Sequence, residues 1–158
     1  MSCVEATMRL VLIVLAYVLV LATSAPADSE PGTREEAIAM VKRVQDKFAK
    51  AGQQATFDAI TNTNEFRDRD LYPFVYDLNG WNVAHGANPQ MVGKLWISTK
   101  DQDGNFLIKQ MLAITDGPGN GWVDYKWPNP LAHKIQDKSA YIEKLGDRYF
   151  VGVGIYKP

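Results

Sequence analysis

Three aromatic rings and a histidine fall close together in the stretch Leu71 to Gly93. Two short runs, Tyr72-Pro-Phe-Val-Tyr76 and Trp81-Asn-Val-Ala-His85, flank Asp77-Leu-Asn-Gly80, in which Asn-Gly suits the positive-φ positions of a tight turn. The stretch reads as a β-hairpin. Side chains alternate along a strand, so Tyr72, Phe74 and Tyr76 share one face of the first arm, and Trp81, Val83 and His85 one face of the second. Such polar-tipped aromatic surface does one of two things. It closes a core whose hydroxyls and ring nitrogens have found partners, or it walls a pocket for a small polar molecule.

Catalysis has little to work with. The sequence has no Gly-x-Ser-x-Gly elbow, no His-Glu-x-x-His helix and no phosphate loop, and its only histidines are His85 and His133. Asp101-Gln-Asp-Gly104-Asn105 opens like a calcium loop, but the bidentate glutamate that such a loop needs is missing and the next acid is Asp116. That segment is read instead as the start of a helix. No enzyme, metal site or cofactor is expected.

The chain's 158 residues, 46% hydrophobic and 22% charged, suit one globular domain. Seventeen basic against eighteen acidic residues leave a net charge of -1, which offers no field to hold a polyphosphate backbone. Nucleic acid is therefore not an expected partner. Leu10 to Ala22 is an uninterrupted run of thirteen apolar residues behind Arg9, the layout of a secretory signal peptide. It is shorter than the about 20 residues that a membrane span needs. Cleavage is expected after Ala27, because cutting after Ala25 would leave Pro26 first. The division is then a signal peptide over 1–27 and one domain over 28–158, with Met8-Arg9 as an alternative start. Cys3, the single cysteine, leaves with the leader, which excludes disulfides, zinc-thiolate sites and cysteine nucleophiles. The expected address is periplasmic or secreted, with no membrane span after cleavage.

Elements to position the hairpin can be read in order. Thr33-Arg-Glu-Glu36 has capping-box spacing, and Ala37, Met40, Val41, Val44, Phe48 and Ala51 give one apolar stripe ending near Gly52. A second, short helix is expected over Gln53 to Thr63. After the hairpin, Phe106, Leu107, Met111 and Ile114 mark a third helix, halted by Asp116-Gly-Pro-Gly-Asn-Gly121. Strands are expected over Gly121 to Trp127, Gln136 to Leu145 and Tyr149 to Tyr156. Gly152 and Gly154 in the last strand invite close approach by a ring or a helix. Helices grouped with an antiparallel sheet make the class α+β.

Leu71-Tyr72, Asp77 to Gly80, Ala84-His85, Gly93-Lys94, Asp103-Gly104, Gly121 to Pro128, Pro130, Lys138 with Tyr141, and Gly152-Val-Gly-Ile-Tyr156 together resemble the single Cache domain of type 2. The resemblance runs from about Thr33 to Tyr156. It implies a PAS-like Cache domain: a long N-terminal helix packed on a curved antiparallel sheet of about five strands, with a pocket on the sheet closed by loops. It further implies an extracytoplasmic ligand sensor, with ligands such as acetate, propionate, pyruvate or lactate. The pocket would draw on Tyr72, Phe74, Tyr76, His85, Tyr125, Trp127, Lys138 and Tyr141. A buried carboxylate needs a cation or several donors, and Lys138, the tyrosines and His85 can supply them.

Two segments depart from the family pattern. Lys138-Ser-Ala-Tyr141 stands where Lys-x-Ser-Tyr is usual, and His85 is followed by Gly86 rather than proline. The expected function is a soluble periplasmic binding module for a short organic anion, acting with a separate membrane histidine kinase or chemoreceptor, since the chain ends at Pro158. The alternative is a protein-interaction module with a vestigial pocket. A pocket packed shut by Tyr72 and Trp127 would speak for that alternative.

Overall fold

The computed structural model describes residues 30–157; the expected leader, its cleavage site and Met8 lie outside them. The capping box forms as read. Thr33 Oγ1 accepts from the Glu36 amide at 3.2 Å, and Glu36 accepts from the Thr33 amide at 2.8 Å, which starts helix α1 (Arg34–Asn62). Ala37, Met40, Val41 and Val44 are buried along it, while Ala51 is exposed, so the stripe ends at half-buried Phe48. Gly52 breaks the helix with φ 78° and ψ 177°. The two expected helices are thus the two halves of one kinked element.

Five antiparallel strands follow: β1 (Pro73–Asp77), β2 (Asn82–His85), β3 (Asn120–Asn129), β4 (Lys134–Leu145) and β5 (Tyr149–Tyr156), in the spatial order β2-β1-β5-β4-β3. The class is α+β, as expected. The hairpin joining β1 and β2 turns at Gly80, whose φ is 89°, and Asp77 Oδ1 secures it by accepting from the amides of Asn79 and Trp81, each at 2.9 Å. Register shifts between Val75 and Tyr76, so that Tyr76 pairs with Asn82 and Phe74 with His85. The irregularity turns Trp81 outward: it is 44% exposed and does not share the inner face with His85 as alternation alone required. Asn82 is buried in its place, its amide donating to the carbonyls of Val75 and Ala84 at 3.3 and 3.4 Å.

Alternation sorts the sheet into two faces. Val75, Ala84, Tyr141, Tyr149, Val151 and Val153 pack with α1. Phe74, Tyr76, Val123, Tyr125, Ala140, Ile142 and Phe150 pack instead with helix α2 (Leu107–Asp116). The Asp101 segment does not cap α2. Asp101 accepts from the amides of Asp103 and Asn105 at 3.0 and 2.8 Å, closing its own loop, and α2 begins after Phe106 with no side-chain cap. Its buried face is Leu107, Ile108, Met111 and Thr115, so Phe106 lies outside the stripe and Ile108 inside it.

Candidate functional site

The α2 face of the sheet carries the site. Tyr125, Lys138 and Tyr156 lie side by side across three neighbouring strands, because Lys138 pairs in register with Tyr125 on β3 and with Tyr156 on β5. The lysine stem runs over Gly154; a Cβ there would collide with it. Phe74 lies the same way over Gly152, so both glycines accept the close approach their spacing invited, one from a ring and one from an alkyl chain. Tyr72, just before β1, faces His85 with ring centroids 5.3 Å apart, and Phe74 stacks on His85 at 6.4 Å.

Lys138 is the centre of the arrangement. It is 1% exposed, and its Nζ donates to the hydroxyls of Tyr72 at 2.7 Å and Tyr156 at 3.2 Å. Those hydroxyls lie 3.0 Å apart, and that of Tyr156 donates to the Pro128 carbonyl at 2.7 Å. Every ion pair within 4 Å among the described residues involves other groups. Burial holds the Lys138 ammonium well below the ordinary lysine range, with the charge of Asp70 pulling weakly the other way. The rings of Tyr72 and Tyr156 flank Nζ at 3.9 and 4.5 Å. Such contacts are worth about 2 kcal/mol when desolvated, less than the several kcal/mol that burying an unpaired ion costs. Desolvation therefore decides the sign.

His85 is neutral and oriented. Its Nδ1 accepts from the amides of Ala87 at 3.2 Å and Asn88 at 2.9 Å, which leaves the ring proton on Nε2. Burial, then the charges of Lys138 and Arg67, push its pKa down to about 3. With Nδ1 occupied the ring is a donor and no proton acceptor. Burial pushes the Tyr72 hydroxyl up to about 12, opposed by its bond to Tyr156, and raises Tyr76, Tyr125 and Tyr156 as well. All four phenols keep their protons at neutral pH.

Tyr72, Phe74, Tyr76, His85, Tyr125, Trp127 and Lys138 line one pocket, which Leu107, Ile108 and Met111 of α2 close from above. The space left between them is about 10 Å³, room for roughly one water. The closure comes from helix side chains rather than from loops alone. No cluster of three or more histidine, cysteine or acidic side chains suited to a metal occurs among the described residues.

The sequence profile of the family named Single Cache domain 2 matches residues 30–157. This chain belongs to that family. Its Cache domain is similar to a methyl-accepting chemotaxis protein of Vibrio parahaemolyticus RIMD 2210633, with a TM-score of 0.67 at 23% identity over 77% of this chain and 86% of that one. It is also similar to a Cache chemosensory domain solved for carboxylic acid recognition, with a TM-score of 0.63 at 25% identity over 78% of this chain and 88% of that one. Among characterised relatives, the sensor histidine kinase MctS of Rhizobium johnstonii is 30% identical over 124 residues. The methyl-accepting chemotaxis protein McpP of Pseudomonas putida is 30% identical over 90 residues. These matches cover 76% and 56% of this chain but 26% and 16% of those proteins. The chain thus shares its Cache domain with a sensor histidine kinase and chemotaxis proteins, and spans about a quarter or less of the curated relatives it matches.

Within this Cache domain, seven of the eight expected site residues meet. Tyr141 does not. Three residues from Lys138, it points to the opposite face, packs against Trp122 with ring centroids 5.5 Å apart and belongs to the α1 core. Tyr156 was missed as a site residue although it continues the Gly152, Gly154 alternation and so had to share the face of Lys138. The α2 side chains were missed because a helical stripe reads as core until its partner surface is known. Nothing in the described Cache domain is long and apolar enough to cross a membrane as a helix.

Proposed function

We propose that this Cache domain senses a short organic acid, binding its carboxylate at Lys138, Tyr72, Tyr156 and His85, and that occupancy is passed to a membrane histidine kinase or chemoreceptor on the extracytoplasmic side. Lys138 carries the reading: a lysine sealed in the domain with two hydroxyl partners and no carboxylate is the half of an ion pair whose other half comes from outside. Both donor types on hand, ammonium and O–H or N–H, suit a carboxylate, and charge-assisted bonds are the strong ones. Leu107, Ile108 and Met111 offer an apolar surface to a short alkyl tail. Support for the ligand class comes from the solved relative that recognises carboxylic acids, and support for the partner class from the kinase and chemoreceptor relatives. Binding without turnover fits His85, whose Nδ1 is already engaged by two amides.

The closed cavity favours the second reading, a protein-interaction module with a vestigial pocket. A ligand larger than one water must push side chains aside, and Met111, an unbranched side chain on the α2 face of the pocket, can repack to do so. A pocket of no use, however, has no reason to keep a buried lysine that destabilises the fold. Thermal melts against acetate, propionate, pyruvate and lactate separate the two readings. An acid at 100 times its Kd adds about 2.7 kcal/mol, several degrees for a domain of this size, and the shift should vanish in Lys138→Met. A flat response to all four acids, with a stable self-association or a partner protein bound, would establish the interaction module instead.

A further inference from the structure

We infer that the site takes up a proton together with the anion, so that what it captures is, in net composition, the undissociated acid. The inference rests on the carboxylate-binding reading above and follows from a count of donors and acceptors around Lys138.

In the closed site Nζ has two acceptors in range, the hydroxyls of Tyr72 and Tyr156. The Tyr156 proton goes to the Pro128 carbonyl, so the bond between the two hydroxyls takes its proton from Tyr72. An amine with two N–H donors closes this network. An ammonium leaves its third N–H with no protein acceptor, at most one water in the small space beside it, and its charge with no carboxylate within 4 Å. A carboxylate supplies both missing partners at once: an oxygen for the third N–H and the negative charge. Bond by bond, the amine nitrogen of Lys138 gains a proton from solvent as the carboxylate arrives; nothing is oxidised and no covalent bond to the ligand forms.

The groups that face Lys138 do not offer another home for the proton. Tyr72 and Tyr76 from the β1 segment, Tyr125 from β3 and Tyr156 from β5 are already protonated phenols. His85 on β2 would have to give up two amide bonds to Nδ1. Asp70, ahead of β1, is buried and accepts from the Gly32 amide at 2.8 Å. The face of α2 is Leu107, Ile108 and Met111, with nothing to titrate. On the outer rim Asp124 pairs with Lys157 at 3.1 Å, and Asp103 and Asp137 pair with Lys126 at 2.9 and 3.4 Å. Asp101 there is bonded within its own loop.

Titration calorimetry of the domain with whichever of acetate, propionate, pyruvate and lactate binds, in buffers of different ionisation enthalpy at pH 8.5, counts the protons directly. More than half a proton taken up per ligand, and a Kd for the anion rising about tenfold from pH 8 to pH 9, is the expected result. Less than half a proton would overturn the inference while leaving carboxylate binding intact. No heat and no thermal shift with any of the four acids would instead overturn the binding reading and the inference with it. Lys138→Met assigns the proton. Residual weak binding in that variant should carry no proton uptake; uptake that persists would place the proton on the ligand or on His85 and refute the assignment to Lys138. Since the wild-type buffer series alone decides the stoichiometry, a variant that fails to fold does not remove the test.

Discussion

Lys138 keeps its place because Gly154 has no side chain. A Cβ at Gly154 would overlap the lysine Cε, and one at Gly152 would overlap the Phe74 ring and Ile142. Overpacking of this kind costs about 1–3 kcal/mol. Gly154→Ala is therefore expected to lower the urea midpoint by that equivalent and to abolish the acid-dependent thermal shift, whereas Gly152→Ala should lower the midpoint while perturbing the acid response less. His85 gives a separate prediction. Its pKa is about 3 in the folded chain against an ordinary 6.5, so between those values the unfolded chain binds a proton that the folded chain refuses. Stability must fall as pH drops through that window, by up to about 1.4 kcal/mol per pH unit from this group. His85→Gln should flatten the slope between pH 6.5 and 4.5, above the range where Glu36, Asp101 and Asp124, whose pKa values lie below the ordinary carboxylate range, begin to protonate. Equal slopes in chemical denaturation of the two proteins would show that His85 titrates normally.

Helix α1 shows what sequence pattern reveals and what it hides. Its start was legible because a capping box is a local device, two reciprocal bonds within four residues. Its break at Gly52 was legible as a stop, and the structure explains why: φ 78° with ψ 177° is a conformation that residues with a Cβ avoid, and no atom lies near enough to crowd one. Gly52→Ala should consequently destabilise through the backbone alone, by roughly 1–3 kcal/mol, and be read as a lower denaturation midpoint with an unchanged m-value. Strand alternation likewise placed Tyr72, Phe74, Tyr76 and His85 on one surface. The same rule argued against Tyr141, three residues from Lys138, and for Tyr156, two from Gly154; the resemblance supplied the first and left the second out of the site. Trp81 was misplaced because a register shift depends on partner strands that alternation in one strand does not contain. The filled cavity had no sequence signature at all, since it depends on how α2 and the sheet pack across some seventy residues of chain.

At the scale of the whole molecule, one sheet serves two cores. The α1 face is aliphatic and aromatic with two phenols, Tyr141 and Tyr149, while the α2 face buries a lysine, a histidine and four phenols among aliphatic side chains. A fold selected for stability alone has no use for the second arrangement, because a well-packed apolar replacement of a buried ion is commonly neutral or stabilising. Lys138→Met should accordingly leave the melting temperature of the ligand-free domain equal or higher in differential scanning calorimetry, and a large drop would mean that the lysine is there for structure. A crystal structure of the domain grown with the acid that gives the largest thermal shift tests carboxylate binding at Lys138 directly. A carboxylate is expected within hydrogen-bond distance of Lys138 Nζ and at least one of the Tyr72 and Tyr156 hydroxyls, with Met111 or α2 displaced to make room. An acid bound elsewhere, over an unchanged Tyr72–Lys138–Tyr156 network, would contradict it.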